Sequence, residues 1–243
     1  MGVKYLDIIT GYLRHLRGKA EQAGGAQLDR VVMGRPVFFV DEDPVRDAAA
    51  QASLEAAARA VGFTDVAFQY EPIAAAFDYE QQATTEQLVL VADIGGGTSD
   101  FSVVRVGPER AQALDRRSDI LANHGVHIAG TDFDRRVSLA SVMPPLGYGG
   151  FGPSLKGQAP RPVPSRVYFD LATWHLINTV YVPGRLAELA RMKSFYAELP
   201  LHARLMTVLR SRLGHALVAQ AEAAKIAVAE GGDTILNLAA IDA

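Results

Sequence analysis

A glycine-rich turn between two apolar segments constrains the fold of this chain more than any other feature. Residues 88–92 are continuously apolar, residues 101–106 are rich in β-forming side chains, and only eight residues separate the two segments. A short continuous apolar run predicts a strand buried on both faces, and so short a connection predicts a hairpin. The connecting sequence is Asp93-Ile94-Gly95-Gly96-Gly97-Thr98-Ser99-Asp100.

The segments before this hairpin alternate between strand and helix patterns. Apolar residues at helical spacing predict a helix over residues 3–22, and Asp43-Pro44 predicts the start of a second helix that Gly62 ends. A buried strand is predicted at 30–40 and a second strand at 65–70, followed by a short helix over 71–79. This order predicts an α/β fold with some parallel pairing.

The second half of the chain is predicted to be mostly helical. A third strand of the hairpin sheet is expected within residues 111–124, a long helix over 202–230, and a further strand over 233–239. Pro and Gly make up 11 of the 21 residues from 144 to 164. That composition cannot sustain a helix or a central strand, so it predicts a long loop or linker.

Composition narrows the class of protein without identifying it. The chain has 243 residues, 49% of them hydrophobic and 21% charged, which is ordinary for a globular protein. It has no cysteine, no apolar run long enough to span a membrane, and no secretory signal pattern at its start. A cytoplasmic protein that does not bind membranes is therefore expected, and the net charge of −3 predicts no affinity for nucleic acid.

The glycine turn has the composition of a phosphate-binding site. Successive glycine amides can point at one anion, and the hydroxyl of Thr98 can add a hydrogen bond. Asp93 and Asp100 flank the turn, and they would repel a phosphate unless a cation such as Mg²⁺ lay between. The turn is not a Walker loop, because no Gly-Lys-Ser/Thr follows it, and it lacks the spacing of a dinucleotide fingerprint.

Four motifs in a consistent order resemble the DnaK-type heat shock protein 70 family of the actin-like ATPase superfamily. Residues 93–100 resemble the second phosphate loop of that superfamily, and residues 69–77 resemble the segment that links the two lobes of the family's ATPase domain. Residues 127–134 resemble the family's Gly-Gly-x-Asp-Phe-Asp stretch, and residues 221–225 resemble its adenosine-side helix. The similarity is greatest to short bacterial DnaK-like chaperones without a peptide-binding domain.

The resemblance implies incomplete actin-like (ribonuclease H-like) ATPase lobes with a helical subdomain in the C-terminal half. Residues 1–85 would be part of lobe one, and residues 86–124 the first strands of lobe two with the phosphate loop. Residues 125–243 would form the outer helical subdomain of lobe two, with the Pro/Gly-rich loop at 144–164. The chain would then be an internal portion of a longer domain.

The resemblance also implies an ATP-binding and ATP-hydrolysing chaperone-like protein that uses ATP or ADP with Mg²⁺ and acts with client proteins or co-chaperones. It assigns catalytic roles to Glu71, Asp93 and Thr98. It assigns Asp93 and Asp100 to the Mg²⁺ shell. The nucleotide contacts fall on Gly95, Gly96, Gly97, Thr98, Gly130, Glu222 and Lys225.

Several family features have no match in this sequence. Residues 1–30 contain neither the first phosphate loop, an Asp-x-Gly-Thr-type hairpin, nor the catalytic Lys that follows it. Ala129 replaces the first glycine of its motif, and Ile226 stands where the chaperones usually carry a basic residue. A filament-forming bacterial actin and a truncated, inactive chain are therefore alternative interpretations, although Asp100 favours the chaperone.

Two other groups of residues carry weaker signals. His124 and His127 lack further ligands at metal-binding spacing, so a metal role is not expected for them. Tyr168, Phe169 and Trp174 are predicted to pack in the core rather than form a stacking platform, because no alternation of basic and aromatic residues surrounds them.

Overall fold

The computed structural model describes residues 3–113, 115–154 and 158–242. It is a mixed α/β structure, as predicted, and it divides into two compact units. The first unit comprises residues 1–93 and 99–126, and the second comprises residues 94–98 and 127–243. None of the helices in the described ranges is long and apolar enough to span a membrane.

Within the described residues, the first unit contains three α-helices and five strands in two sheets. β1 and β2 pair in parallel, with Arg30 opposite Asp65, and the other sheet has the strand order β3-β4-β5. β4 and β5 pair antiparallel, with Asp100 opposite Gly125. In chain order the elements are α1 (Tyr5–Gly24), β1 (Arg30–Arg35), α2 (Pro44–Val61), β2 (Asp65–Tyr70), α3 (Glu71–Glu80), β3 (Gln87–Ile94), β4 (Ser99–Val106) and β5 (Ile120–Val126).

Local signals in the sequence set the ends of α2. The Asp43 side chain accepts a hydrogen bond from the Arg46 amide at 3.0 Å, and Pro44 occupies the first turn. Gly62 ends the helix in the left-handed conformation, with φ at 106°. α1 packs on α2, and Arg17 ties them together by donating to the Val61 carbonyl at 2.6 Å. The predictions for these two helices are confirmed.

The strand predictions need three corrections. β1 ends at Arg35 instead of residue 40, because Pro36 cannot continue the ladder, and Val32 is exposed. β5 begins at Ile120, after short 3₁₀ turns at Arg110–Gln112 and Arg117–Asp119. β3 is buried on one face only. Val89 and Val91 pack with Ile73 of α3, whereas Leu88 and Leu90 are 64% and 67% exposed, since α3 covers one side of this sheet.

The second unit is helical and has its own apolar core. Leu146, Tyr168, Leu171, Leu205 and Leu209 are among its fully buried residues. The α-helices are α4 (Gly130–Val137), α5 (Arg166–Ala172), α6 (Pro183–Arg191), α7 (Leu199–Arg210) and α8 (Gly214–Ala229). A π-helical turn (Ser138–Val142) and 3₁₀ turns at Pro144–Leu146, Ile177–Tyr181, Met192–Phe195 and Ala239–Ile241 complete the unit.

The Pro/Gly-rich segment 144–164 forms no long helix or strand, as its composition predicts, but it packs on the core. Its first residues form a 3₁₀ turn in which Leu146 is fully buried, and the Tyr168 hydroxyl donates to the Leu146 carbonyl at 3.0 Å. Phe151 and Pro162 form an isolated β-bridge. Residues 155–157 of this segment lie outside the described residues.

Two predictions for the end of the chain are wrong. The single helix over 202–230 is two helices, α7 and α8, separated at Arg212, whose φ is +53°. At the start of α8 the Tyr181 hydroxyl accepts a hydrogen bond from the Gly214 amide at 2.9 Å, and a Cβ on Gly214 would lie 2.6 Å from that hydroxyl. Residues 233–239 form no strand, and Ile241 packs into the core.

Candidate functional site

The glycine turn is an exposed loop in which several backbone amides donate no hydrogen bond. The Gly95 amide donates to the Thr98 carbonyl at 2.9 Å and so closes the turn. In the part of the chain that the structure describes, the amides of Gly96, Gly97 and Thr98 donate no hydrogen bond. Three neighbouring unpaired amides are the donors that an anion nest requires.

Nothing in the described residues requires glycine at positions 96 and 97. A Cβ added at either position would meet no atom within 4 Å, and neither residue has a φ in the left-handed region. The turn therefore leaves open space beside its unpaired amides, and side chains at these two positions would fill that space.

The start of α4 holds the turn in place. The Gly130 amide donates to the Gly95 carbonyl at 3.0 Å, and the Thr131 amide and hydroxyl donate to the Gly96 carbonyl at 2.9 and 2.8 Å. A Cβ on Gly130 would lie 3.2 Å from the Gly95 carbonyl oxygen, closer than most Cβ contacts. These bonds occupy carbonyl oxygens of the turn and leave its amides available.

Lys225 of α8 reaches the same helix start. Its ammonium lies 2.7 Å from Asp134 Oδ1 and 3.5 Å from the Gly130 carbonyl oxygen. Glu222, one turn earlier on α8, is exposed and lines a cavity with Thr131 and Asp134. The second unit thus brings together Gly95, Gly96, Gly130, Glu222 and Lys225, all predicted from the sequence to contact nucleotide.

The three predicted carboxylates belong to the first unit. Glu71 begins α3 directly after β2, and a Cβ on Gly34 would lie 3.5 Å from its Oε1. Burial raises the pKa of Glu71 above its usual value, and the negative charges of Asp93 and Asp100 raise it further. These groups share a cavity of about 10 Å³, room for about one water-sized group, with Pro36, Val37, Pro72, Val91, Ser102 and Asn123.

A cation would relieve the repulsion among these carboxylates. The described residues contain no group of three or more His, Cys, Asp or Glu arranged to hold a metal ion directly. Mg²⁺ keeps several of its waters and takes only one or two carboxylates, so a hydrated ion suits Asp93 and Asp100 better than a bare one. The chemistry of the donors therefore fits the magnesium prediction.

Three residues that shape these sites were not predicted from the sequence. Thr131 bonds the turn and Asp134 holds Lys225, although both lie within the motif at residues 127–134 and could have been identified there. Gly125 faces Asp100 across the β4–β5 ladder, and a Cβ there would lie 2.6 Å from Asp100 Oδ1. Its signal, a glycine within a strand, is weak.

Comparison with known proteins identifies the family. The family described as Hsp70 protein matches residues 6–141, more than half of the chain. The chain belongs to the Hsp70 family. Among its relatives, the chaperone protein HscA homolog of Methylobacillus flagellatus is 33% identical over 132 residues, which are 54% of this chain and 19% of the relative. The chaperone protein DnaK of Thermosipho melanesiensis is 35% identical over 133 residues, 54% of this chain and 20% of the relative.

The chain spans about a fifth of the length of these Hsp70 relatives. Among solved structures, MreB5 of Spiroplasma citri bound to ADP covers 58% of this chain with 20% identity and a TM-score of 0.40, and 37% of its own length is covered. A structural similarity at this TM-score does not support the filament-forming alternative. The family resemblance predicted from the motifs is confirmed.

Proposed function

We propose that this Hsp70-family chain binds the phosphates of a Mg-nucleotide, ATP or ADP, as a portion of a chaperone nucleotide-binding domain. The observation that carries the proposal is the glycine turn, whose unpaired amides and open space adjoin the start of α4 and the ammonium of Lys225. Amides of this kind and a fixed cation are the usual means of binding phosphate oxygens.

The other site residues take the roles that the family implies. Asp93 and Asp100 would hold the water shell of Mg²⁺, and Glu71 would order the metal shell or an attacking water. Thr98 would bond a phosphate oxygen. The proposal is limited to binding, because the chain spans only about a fifth of the length of its Hsp70 relatives.

We extend the proposal to the domain arrangement and the partners. We assign residues 1–85 to lobe one, 86–124 to the first strands of lobe two, and 125–243 to the helical subdomain of lobe two. As in other chaperones of the family, clients or co-chaperones in the cytoplasm are the expected partners.

Substitutions in the glycine turn test the proposal. Because a Cβ at positions 96 and 97 meets nothing within the chain, Gly96→Ala/Gly97→Ala should leave the melting temperature within about 2 °C of the parent. The added methyl groups would occupy the space next to the amides, so the affinity for Mg-ADP should fall at least about tenfold in titration calorimetry.

The matched control is Gly11→Ala/Gly18→Ala in α1, where added Cβ atoms also meet nothing. This variant should bind Mg-ADP as the parent does. Unchanged affinity in the turn variant, or no measurable binding of Mg-ADP by the parent chain, would contradict the phosphate assignment.

A further inference from the structure

An open groove in the second unit lies along α6 and α7. Its volume is about 720 Å³, and its walls come from the end of α6, the 3₁₀ turn at Met192–Phe195 and one face of α7. Leu199, Ala203 and Met206 recur at the spacing of one helix face and make the α7 wall apolar. None of the described residues that line the groove belongs to α4, α8 or the glycine turn.

Buried contacts hold the two helices of the groove together. The His202 ring of α7 is buried, and its Nε2–H donates to the Leu189 carbonyl of α6 at 2.9 Å. The same ring meets the buried Tyr196 ring, with centroids 5.0 Å apart. Because these contacts fix α7 against α6, the groove is formed before anything binds to it.

The groove carries positive charge that the described residues do not neutralise. Lys193 and Arg210 line it and are exposed, and neither forms a hydrogen bond or an ion pair through its side chain within the described ranges. Arg185, also on α6, is by contrast paired with Glu188 at 2.9 Å. No Asp or Glu is among the described lining residues. Two such cations beside an apolar wall fit an occupant that combines carboxylates with an apolar side chain.

The two units of the chain carry opposite net charge. The first unit has 12 Lys and Arg against 18 Asp and Glu, a net charge of −6. The second unit has 12 Lys and Arg against 9 Asp and Glu, a net charge of +3. The second unit of one copy therefore attracts the first unit of another copy, whereas like units repel each other.

One turn of the first unit presents the required side chains together. Asp41 and Glu42 form its tip, where Glu42 has a φ of +57°. Both are exposed, and neither side chain forms an ion pair in the part of the chain that the structure describes. Phe38 is 47% exposed and lines the same cavity as these two residues. Asp47 fixes the turn, because its carboxylate accepts a hydrogen bond from the Phe39 amide at 2.6 Å.

We propose that the groove along α6 and α7 binds this acidic turn of a second copy of the chain. The carboxylates of Asp41 and Glu42 meet the cations of the groove, and Phe38 packs against its apolar wall. Because the groove and the turn are different surfaces, the contact is heterologous and copies associate head to tail. One turn in one groove is a small interface, so the association is weak and depends on charge. The contact uses no residue of the nucleotide site.

Sedimentation equilibrium of the purified chain tests for this contact. In about 0.02 M NaCl the average mass should exceed the 26.1 kDa of one chain and rise with concentration up to about 0.2 mM. In about 0.5 M NaCl it should fall to that of the monomer, because salt screens exposed charges. A monomer mass at every concentration in low salt would overturn the proposal. So would an association that salt does not weaken, which would indicate an apolar contact.

Charge reversals locate the two surfaces. Lys193→Glu/Arg210→Glu should be monomeric in low salt, and so should Asp41→Lys/Glu42→Lys. Neither pair should lower the melting temperature, because none of the four side chains forms a hydrogen bond or an ion pair in the described ranges. An equimolar mixture of the two variants should associate again, since each reversed surface then meets one of opposite charge. A mixture that stays monomeric would show that the groove and the turn do not meet.

The matched control is Arg14→Glu/Lys19→Glu on α1. Both cations are exposed, neither is paired within the described residues, and their reversal changes the net charge as much as the groove variant does. This control should associate as the parent does, and its loss of association would show that net charge alone is responsible. A parent chain that stays monomeric but binds fluorescein-labelled hexaglutamate through Lys193 and Arg210 would assign the groove to a different acidic protein. Either result would overturn the second copy as the occupant.

Discussion

At the scale of single residues, the Glu71 carboxyl group of the first unit lies in surroundings that disfavour its charged form. Glu71 is partly buried, and burial together with the charges of Asp93 and Asp100 raises its pKa above the usual value near 4.5. Charging such a group costs more in the folded chain than in the unfolded chain. The group therefore adds stability while it is protonated, at pH values below its unfolded pKa, and loses that contribution as the pH rises through its folded pKa.

Replacement of Glu71 by glutamine should therefore stabilise the protein at neutral pH. Gln keeps the shape and removes the charge, so Glu71→Gln should raise the melting temperature at pH 8, by no more than about 4 °C. The gain should shrink at pH 4, where the native carboxyl is largely protonated. Thermal denaturation followed by circular dichroism at both pH values measures the difference.

The control carboxylate is Glu80, at the other end of α3. Its burial raises the pKa, but hydrogen bonds from Arg116 and the Gly107 amide outweigh burial and lower it. Glu80→Gln should therefore destabilise the chain at pH 8. A fall in the melting temperature of Glu71→Gln at pH 8 would show that Glu71 has a favourable charge partner.

At the scale of elements, a buried ion-pair cluster fixes the end of α3. Arg116 donates to both carboxylate oxygens of Glu80 at 2.9 Å and also pairs with Asp119. All three side chains are at least 95% buried, and the Gly107 amide adds a bond to Glu80 at 2.9 Å. The cluster ties α3 to the segment between β4 and β5.

Removal of the arginine would leave two carboxylates buried without their main partner. Arg116→Met should lower the free energy of unfolding by about 3–5 kcal/mol, measured by urea denaturation. The exposed Arg59–Glu55 pair on α2 provides the comparison, and Arg59→Met should cost less than about 1 kcal/mol. Equal losses of unfolding free energy in the two variants would mean that burial does not determine how much the cluster stabilises the chain.

Elements were predictable where a few neighbouring residues determine them. Asp43-Pro44 and Gly62 mark both ends of α2, and the alternation of strand and helix gave the parallel pairing of β1 and β2. The break between α7 and α8 was not predicted, and the contact that holds the start of α8 joins Gly214 to Tyr181, 33 residues away in the sequence. The prediction that Tyr168, Phe169 and Trp174 pack in the core is confirmed for Tyr168 and wrong for Phe169 and Trp174, which are 40% and 58% exposed.

At the scale of the whole molecule, the predicted site residues fall into two groups that the sequence could not separate. Glu71, Asp93 and Asp100 belong to the first unit, whereas the glycine turn, Gly130, Glu222 and Lys225 belong to the second. Motif order identified the family, because each motif keeps its spacing along the chain. The pairing of Lys225 with Asp134 and the role of Thr131 required the packing of α4 on α8.

The exposed face of β3 has a consequence for the behaviour of the chain in solution. Leu88, Leu90 and Ile94 present an apolar surface, and a net charge of −3 gives little mutual repulsion between copies. Because sulfate strengthens the burial of apolar surface, the chain should precipitate at modest concentrations of ammonium sulfate. Leu88→Thr/Leu90→Thr should raise that threshold in a turbidity titration. Val45→Thr on α2 should not, although Val45 is 80% exposed, because it lies apart from this face. The solubility limit of the protein would then be a property of one strand.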